Sequence, residues 1–394
     1  MNFKKQIVIF YFFFISSFLS SQEKQNKYQF ATVAFYNVEN LFDTISSVDV
    51  FNGKSNIHKS ISLQEAIKNK VDFSNNNFVK DSVSGNLYMK LINNEEFTPN
   101  GKRNWTQKKY KKKIENISFV LANLGVDLVK TAPAIIGLAE IENEHVLKDL
   151  VAHDYISHYN YQIIHQNSFD SRGIDCALLY QPNRFKVRQQ KIYKLELNKN
   201  QTKEYTRDVL LVSGKLDGES FSFIVNHWPS RRGGEKASEP NRIEAATLVK
   251  KIIEEIRKES LNEKIVVMGD FNDNPNNKSI KKILLSKAKK EEVAPADLFN
   301  PMESLAKKGF GTTAFNDNWF LFDQLLVNDQ LINSQNLNDY QLYKAEIFDK
   351  PYLKTTEGKY KNYPKRSFEG EVFNPTGFSD HFPVYLYLYK KFKE

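Results

Sequence analysis

Val266-Val267-Met268-Gly269-Asp270-Phe271-Asn272-Asp273-Asn274-Pro275 constrains the fold of this chain more than any other stretch. A short apolar run reads as a buried strand. It stops abruptly in a carboxylate, a carboxamide and a second carboxylate. On an extended backbone, Asp270 and Asn272 lie two apart and point to one face. Local turn chemistry explains Asp, Asn and Pro at one such place. It does not explain why four other stretches end in the same manner.

Phe30 to Tyr36 is β-prone and ends in Asn37-Val38-Glu39-Asn40-Leu41-Phe42-Asp43. Pro133 to Ala139 is continuously apolar, as a strand covered on both faces would be, and exits through Glu140 and Glu142 on one side of an extended chain. Phe221 to Val225 ends in Asn226-His227-Trp228-Pro229-Ser230-Arg231-Arg232-Gly233-Gly234, where a paired-arginine, glycine-rich loop suits an anion. Gly377-Phe378-Ser379-Asp380-His381 enters the alternating strand Tyr385 to Tyr389. Trp319 to Val327 reads as a strand with a lone carboxylate, Asp323, buried within it. Burying a charge is costly without a partner, and a histidine is the obvious candidate.

The remaining elements frame these ends. Ile114, Ile117, Val120, Leu121 and Leu124 fall at helical spacing after Thr106, and Gly125 ends the helix. A solvated face accounts for Lys108, Lys109, Lys111, Lys112 and Lys113. Tyr161 to Ile164, Ile174 to Tyr180 and Val209 to Val212 read as strands. Ser171-Arg172-Gly173 makes a turn that presents an arginine, and Arg207 with Asp208 leads into the third strand. A second helix begins at Arg242, with an apolar stripe from Ala245 to Ile256, and a third spans Asn276 to Leu285. Pro351 to Pro375 is rich in Lys, Tyr and Phe; its aromatics suit either packing or stacking on bases.

Composition is that of an ordinary globular protein, 41% hydrophobic and 26% charged, with a net charge of +9 that favours polyanionic partners. The single Cys176 excludes an intramolecular disulfide and a cysteine-rich zinc site, and its apolar neighbours make it a buried, inert thiol. Lys4 and Lys5, the apolar run Ile7 to Phe14 and the small residues to Ser21 describe a signal peptide over 1–21, so export to the periplasm or the medium is expected. No stable membrane insertion is expected. Residues 22–394 then read as one catalytic domain, a monomer, with an insertion over about 44–96 and a short helix within it near Leu63–Ile67.

Asn37, Glu140, His227, Asp270, Asn272, Asp323, Asp380 and His381 make an oxygen-rich set with few imidazoles and no thiolate. Such a set suits Mg²⁺, with Mn²⁺ possible, better than zinc. Phosphate-ester hydrolysis needs a cation, a base for water and donors to the phosphate oxygens, and this set supplies all three.

The ordered motifs Asn37-Val38-Glu39-Asn40, Gly137-Leu138-Ala139-Glu140-Ile141-Glu142-Asn143, Asn226-His227-Trp228, Gly269-Asp270-Phe271-Asn272-Asp273, the strand aspartate Asp323 and Ser379-Asp380-His381 resemble those of the endonuclease/exonuclease/phosphatase superfamily, the deoxyribonuclease-I-like fold. The likeness is nearest to a secreted bacterial branch. The resemblance implies an α/β four-layer sandwich, two packed mixed β-sheets flanked by helices. It implies Glu140 as the main metal ligand, helped by Asn37 and Asp380. His381 paired with Asp323 would act as base or stabilise the transition state. Asp270 and Asn272 would position or activate water, and His227 would contact the phosphate. Site logic adds Arg172, Asp175, Arg207, Asn226 and Arg231 as groups that bind substrate, with Asn37 alongside. The expected activity is Mg²⁺-dependent phosphodiester hydrolysis by an endonuclease acting on DNA or RNA. Rival readings are a phosphatase or a sphingomyelinase-like lipid phosphodiesterase, and a non-catalytic surface protein that binds nucleic acid.

Overall fold

The computed structural model describes residues 28–45, 60–61, 78–80, 87–89, 95–168, 170, 172–199, 202–334 and 336–391. The signal segment 1–21, the expected helix near Leu63–Ile67 and Ser171 lie outside them. Within the expected insertion, the short strands Ser60–Ile61, Phe78–Lys80 and Leu87–Met89 pair as a small antiparallel sheet.

Period-two alternation sets the layers. In β1 (Tyr28–Leu41), Ala31, Val33 and Phe35 face one side, while Ala34, Tyr36 and Val38 face the other. Both faces are apolar, so the strand must be covered twice. In chain order there follow α1 (Gln107–Asn123), β2 (Ile135–Ile141), α2 (Glu144–Ala152), β3 (Gln162–His165), β4 (Asp175–Tyr180), β5 (Phe185–Tyr193), β6 (Val209–Leu216) and β7 (Glu219–His227). Then come α3 (Glu235–Glu259), β8 (Lys264–Asp270), β9 (Ser286–Lys287), β10 (Leu298–Phe299), β11 (Thr313–Phe315), β12 (Asn318–Phe320), β13 (Asp323–Asn328), β14 (Gln341–Ile347) and β15 (Val384–Lys391).

One sheet has the order β14-β15-β1-β2-β4-β3, the other β9-β10-β13-β8-β7-β6-β5. Each holds a parallel pair near its middle, β1 with β2 and β7 with β8. The inner faces pack together through Phe35, Leu178, Phe223, Met268, Leu325 and Leu386. On the outside, Ile117, Val120 and Leu121 of α1 and Leu147 of α2 cover Tyr36 and Leu138. Val249, Ile252 and Ile256 of α3 cover Ile224, Val267 and Leu326. Helix, sheet, sheet, helix is the four-layer α/β sandwich the resemblance implied.

Several local expectations need correction. The second helix starts at Glu235, ahead of Arg242, and carries Pro240 near its start. Residues 276–285 hold only one short helical turn, Ser279–Ile283. The expected strand Trp319–Val327 breaks at Leu321, whose N–H is drawn to Asn274 Oδ1, so Asp323 begins β13 instead of lying within a strand. Lys113 is not on a solvated face: it is buried and donates to Ser367 Oγ at 2.7 Å.

Candidate active site

Sheet register explains why the polar strand ends meet. His227 closes β7 and pairs with Asp270, which closes the parallel β8; Asp270 in turn pairs with Asp323, which opens the antiparallel β13. Three consecutive strands therefore place their polar residue at one level of one edge. In the other sheet Asn37 pairs with Ala139, one residue before Glu140. Asn37 Nδ2 bridges the sheets by donating to Asp270 Oδ2 at 3.1 Å.

Left-handed backbone then aims the side chains. Glu140 has φ 65° and Asn272 φ 50°, while Glu39 and Asn40 have φ 52° and 54°. Non-glycine residues in this region are uncommon and cluster where a structure holds functional groups. Asp270 and Asn272 are thus not two residues of one extended face. Asn272 N donates to Asp270 Oδ1 at 2.9 Å, an Asx-type turn, and Asn272 Nδ2 donates to Trp228 O at 3.0 Å. Glu140 and Glu142 also part company: the ladder slips between Ala139 and Ile141, and Glu142 Oε2 turns to accept from Asp43 N at 2.8 Å.

The central pair is His381 and Asp323, with Nδ1 to Oδ2 at 2.7 Å. Burial works against the charged imidazole, but Asp323 first, then Asp270 and Asp380, hold His381 well above the ordinary histidine value. His381 Nε2 lies 4.0 Å from Asp270 Oδ2. Burial pushes Asp270 up to about 7, with His381 opposing and Asp323 reinforcing the rise. His227 Nε2 sits 3.6 Å from Asp270 Oδ2 and 4.0 Å from Glu140 Oε1. Burial, aided by Arg207 and Arg172, drives His227 well below its ordinary value, so it is a neutral imidazole beside a cationic one. Burial would raise Glu140, but Arg172 and His381, with the 2.9 Å bond from Asn40 N, outweigh it and hold the carboxylate low.

Arg172 reaches this centre, with Nη2 2.7 Å from Asn40 Oδ1 and 3.3 Å from Glu140 Oε2. Asp380 is half-buried, and its negative charge acts on Arg172, His381 and Glu39 alike.

Four expected substrate groups are otherwise engaged. Asp175 is buried, accepting from Ser168 N at 2.8 Å and lying 3.5 Å from His165 Nε2, so it shapes the loop that carries Arg172. Arg207 bonds Asp170 Oδ1 and Trp228 O at 3.1 and 2.7 Å. Asn226 is fully enclosed, donating to Met268 O and accepting from Trp228 Nε1. Arg231 gives Nε to Asn272 O at 2.9 Å and pairs with Asp273 and Glu235, so the loop suited to an anion braces the site instead.

Sequence reasoning did not reach the charges beneath the site. Arg242 is fully buried, its Nε 2.6 Å from Asp273 Oδ1. Glu39 accepts from Ser367 N, and burial together with Asp380 pushes it up to about 8. Lys113 opposes that rise and is itself brought down to about 8 by burial. In Asn37-Val38-Glu39-Asn40 the asparagine alone signals a site, and Lys113 stands within a lysine run.

Asp270, Asp323 and His381 lie close enough to hold an ion. However, His381 Nδ1 is engaged with Asp323, and an imidazolium offers no lone pair, so a cation there would have to displace this bond. Glu140 and Asp380 offer carboxylate oxygens outside that bond. Among the described residues, the one hydrogen bond to Glu140 Oε1 is a long 3.5 Å one from Arg172, and no hydrogen bond reaches the Asp380 carboxylate. Oxygen donors alone, half-neutralised by one exposed guanidinium, fit a hard divalent cation.

The chain belongs to the endonuclease/exonuclease/phosphatase family, whose profile matches residues 88–390. Members of that family are phosphoester hydrolases. Among solved structures it is similar to a Bacteroides thetaiotaomicron mannosyl-6-phosphatase, at 16% identity over 91% of this chain and 99% of that one, TM-score 0.46. It is similar also to a humanized D. rerio TDP2, at 13% identity over 70% of this chain and 92% of that one, TM-score 0.45. The human Nocturnin catalytic domain shares 16% identity over 68% of this chain and 83% of that one, TM-score 0.42. Likenesses of this degree carry neither substrate nor residue role to this chain. No curated protein matches it.

Proposed function

We propose that this chain is a Mg²⁺-dependent phosphodiesterase, an exported endonuclease acting on DNA or RNA, with Mn²⁺ able to replace Mg²⁺. The observation that carries this reading is the meeting of His227, Asp270 and the Asp323–His381 pair at adjoining strand ends, with Glu140 4.0 Å from His227. Glu140 and Asp380 would hold the cation, with Asn37 assisting. Bound there, it would supply positive charge to the phosphate oxygens.

The chain's own groups divide the remaining work. Asp270, with its pKa near 7, can take a proton from water at neutral pH. His381, kept protonated by Asp323, can donate through Nε2 to a phosphate oxygen as charge develops. His227, neutral, offers a ring nitrogen to the same phosphate. Arg172 is half exposed and can turn from Glu140 to the substrate's negative charge. The net charge of +9 and the leader-like first 21 residues support a polyanionic substrate met after export, in the periplasm or the medium.

The test is a panel of plasmid DNA, RNA, a small phosphodiester and a phosphomonoester, each with Mg²⁺ and with EDTA. Acid-soluble nucleotides, released only with metal, are expected. Inorganic phosphate from the monoester, with no diester cleaved, would replace this reading by that of a phosphatase.

A further inference from the structure

The segment Phe310–Phe322 forms a hairpin, β11 and β12 joined by Asn316 and Asp317 at φ 48° and 59°. It is fixed to the catalytic strands. Thr313 Oγ1 donates to Asp380 O at 2.9 Å, Phe382 N donates to Thr312 O at 2.7 Å, and Asp323 N donates to Thr312 Oγ1 at 3.2 Å. Its position relative to His381 and Asp323 is thus set by one backbone bond and two threonine hydroxyl bonds.

This hairpin carries aromatics that the fold leaves uncovered. Phe315 is 68% exposed and Trp319 38%. Trp319 lies near-parallel to Phe382, the residue after His381, at 6.1 Å and 15°, and meets Tyr363 edge-on at 5.6 Å. Tyr363 OH donates to Asp317 Oδ1 at 2.8 Å, and Tyr360, 51% exposed, lies 5.7 Å from Tyr363. Two other aromatics of the same stretch behave differently: Phe368 and Phe373 are buried against Trp105. The structure thus separates packing rings from presented ones.

Charge completes the surface. Residues 354–366 hold Lys354, Lys359, Lys361, Lys365 and Arg366 against a single acid, Glu357. Lys354 is paired with Asp349, but Lys359 and Lys361 are exposed, and Lys359 lies over the Tyr360 ring at 5.6 Å. Exposed rings interleaved with lysines are what an unpaired nucleotide strand requires: stacking for bases and cations for phosphates. A duplex hides its base faces and cannot use such rings.

Resting on the nuclease reading above, the geometry points to a stacking ledge made by Phe315, Trp319, Tyr360 and Tyr363. It holds unpaired bases next to the phosphate under attack and directs the enzyme to single-stranded nucleic acid. The ledge is separable from the chemistry because binding can be read in EDTA.

The experiment compares wild type with Phe315→Ala/Tyr360→Ala, and with Tyr360→Phe, by fluorescence anisotropy on a single-stranded oligonucleotide and on its blunt duplex in EDTA. Thermal melting checks that each variant is folded. We expect wild type to prefer the single strand, the double variant to lose at least about tenfold of that affinity, and Tyr360→Phe to keep it. With Mg²⁺, the loss should fall on KM for the oligonucleotide rather than on kcat. Equal affinity in wild type and the folded double variant overturns the ledge, as does a wild type that prefers duplex. Loss of binding to phosphatidylglycerol vesicles instead of the oligonucleotide would make it a lipid-facing surface and also overturns the proposal. A wild type that cleaves a small diester with Mg²⁺ while showing any of these results retains the phosphodiesterase reading alone.

Discussion

Asp323 is fully buried and spends one oxygen on His381, and it is the largest of the influences that raise the His381 value. Replacing Asp323 by Asn removes the main influence that keeps His381 protonated. Its titration, followed by NMR in EDTA, should then move down toward ~6.5. A raised folded-state value contributes stability that is complete below the unfolded value of ~6.5 and is lost as pH climbs from there through the raised value of the folded state. Wild type should therefore lose stability on the alkaline side, and the Asn variant should lack that loss; urea unfolding across the range reads both. Turnover of a small diester by His381→Ala should fall by about 10²- to 10⁴-fold, and full activity would remove His381 from the chemistry. The Asp323–His381 partnership was legible because a lone carboxylate in an apolar run needs a counter-group. Arg242 was not legible: it reads as the polar start of an amphipathic helix, yet it neutralises Asp273. Arg242→Met should cost about 3 kcal/mol in denaturant unfolding, since it strips a buried charge of its closest charged partner. A loss below about 1 kcal/mol would mean that Arg231 and Ser279 suffice for Asp273.

Among elements, the strands announced themselves and their endings did not. Apolar runs located β1, β2, β7 and β8 because each is covered on both faces. The turns that follow depend on left-handed residues such as Glu140 and Asn272, and no composition signal requires a glutamate to adopt that conformation. Hence the expectation that Glu140 and Glu142 share a face failed, while the presence of Glu140 at the strand end held. The same exit starts α2: Asn143 caps it, its Oδ1 accepting from Val146 N at 3.1 Å. Asn143→Ala should destabilise the fold by about 1 kcal/mol, measured by urea unfolding. Because this cap adjoins Glu142 and not the Glu140 carboxylate, the Mg²⁺ dependence of activity should be unchanged; an altered Mg²⁺ curve would show that the cap also sets Glu140.

At the level of the whole molecule, two sheets must approach closely enough for Asn37 of one to reach Asp270 of the other. Gly137 permits that approach: a Cβ there would stand 2.6 Å from Met268 Sδ and 3.2 Å from Phe35 Cδ2. Gly137→Val should therefore cost about 1–3 kcal/mol of stability by overpacking and lower activity by separating the sheets; an unperturbed variant would deny the close contact any role. Strands and two amphipathic helices were legible from the apolar pattern, while the four-layer sandwich was implied by the ordered motifs' family resemblance. The engagement of Arg231, Arg207, Asn226 and Asp175 within the fold was not, because a sequence shows charge but not which internal acceptors are in reach. What joins both scales is the claim that Glu140, from one sheet, holds a cation beside Asp270, from the other. The most direct measurement is the rate of small-diester hydrolysis across a Mg²⁺ titration for wild type and Glu140→Gln. The account predicts a saturable, EDTA-abolished rate in wild type, and in the variant a rate lowered by about 10²-fold or more with half-saturation moved to higher Mg²⁺. Superimposable Mg²⁺ curves for the two proteins, or hydrolysis that survives EDTA, would contradict it.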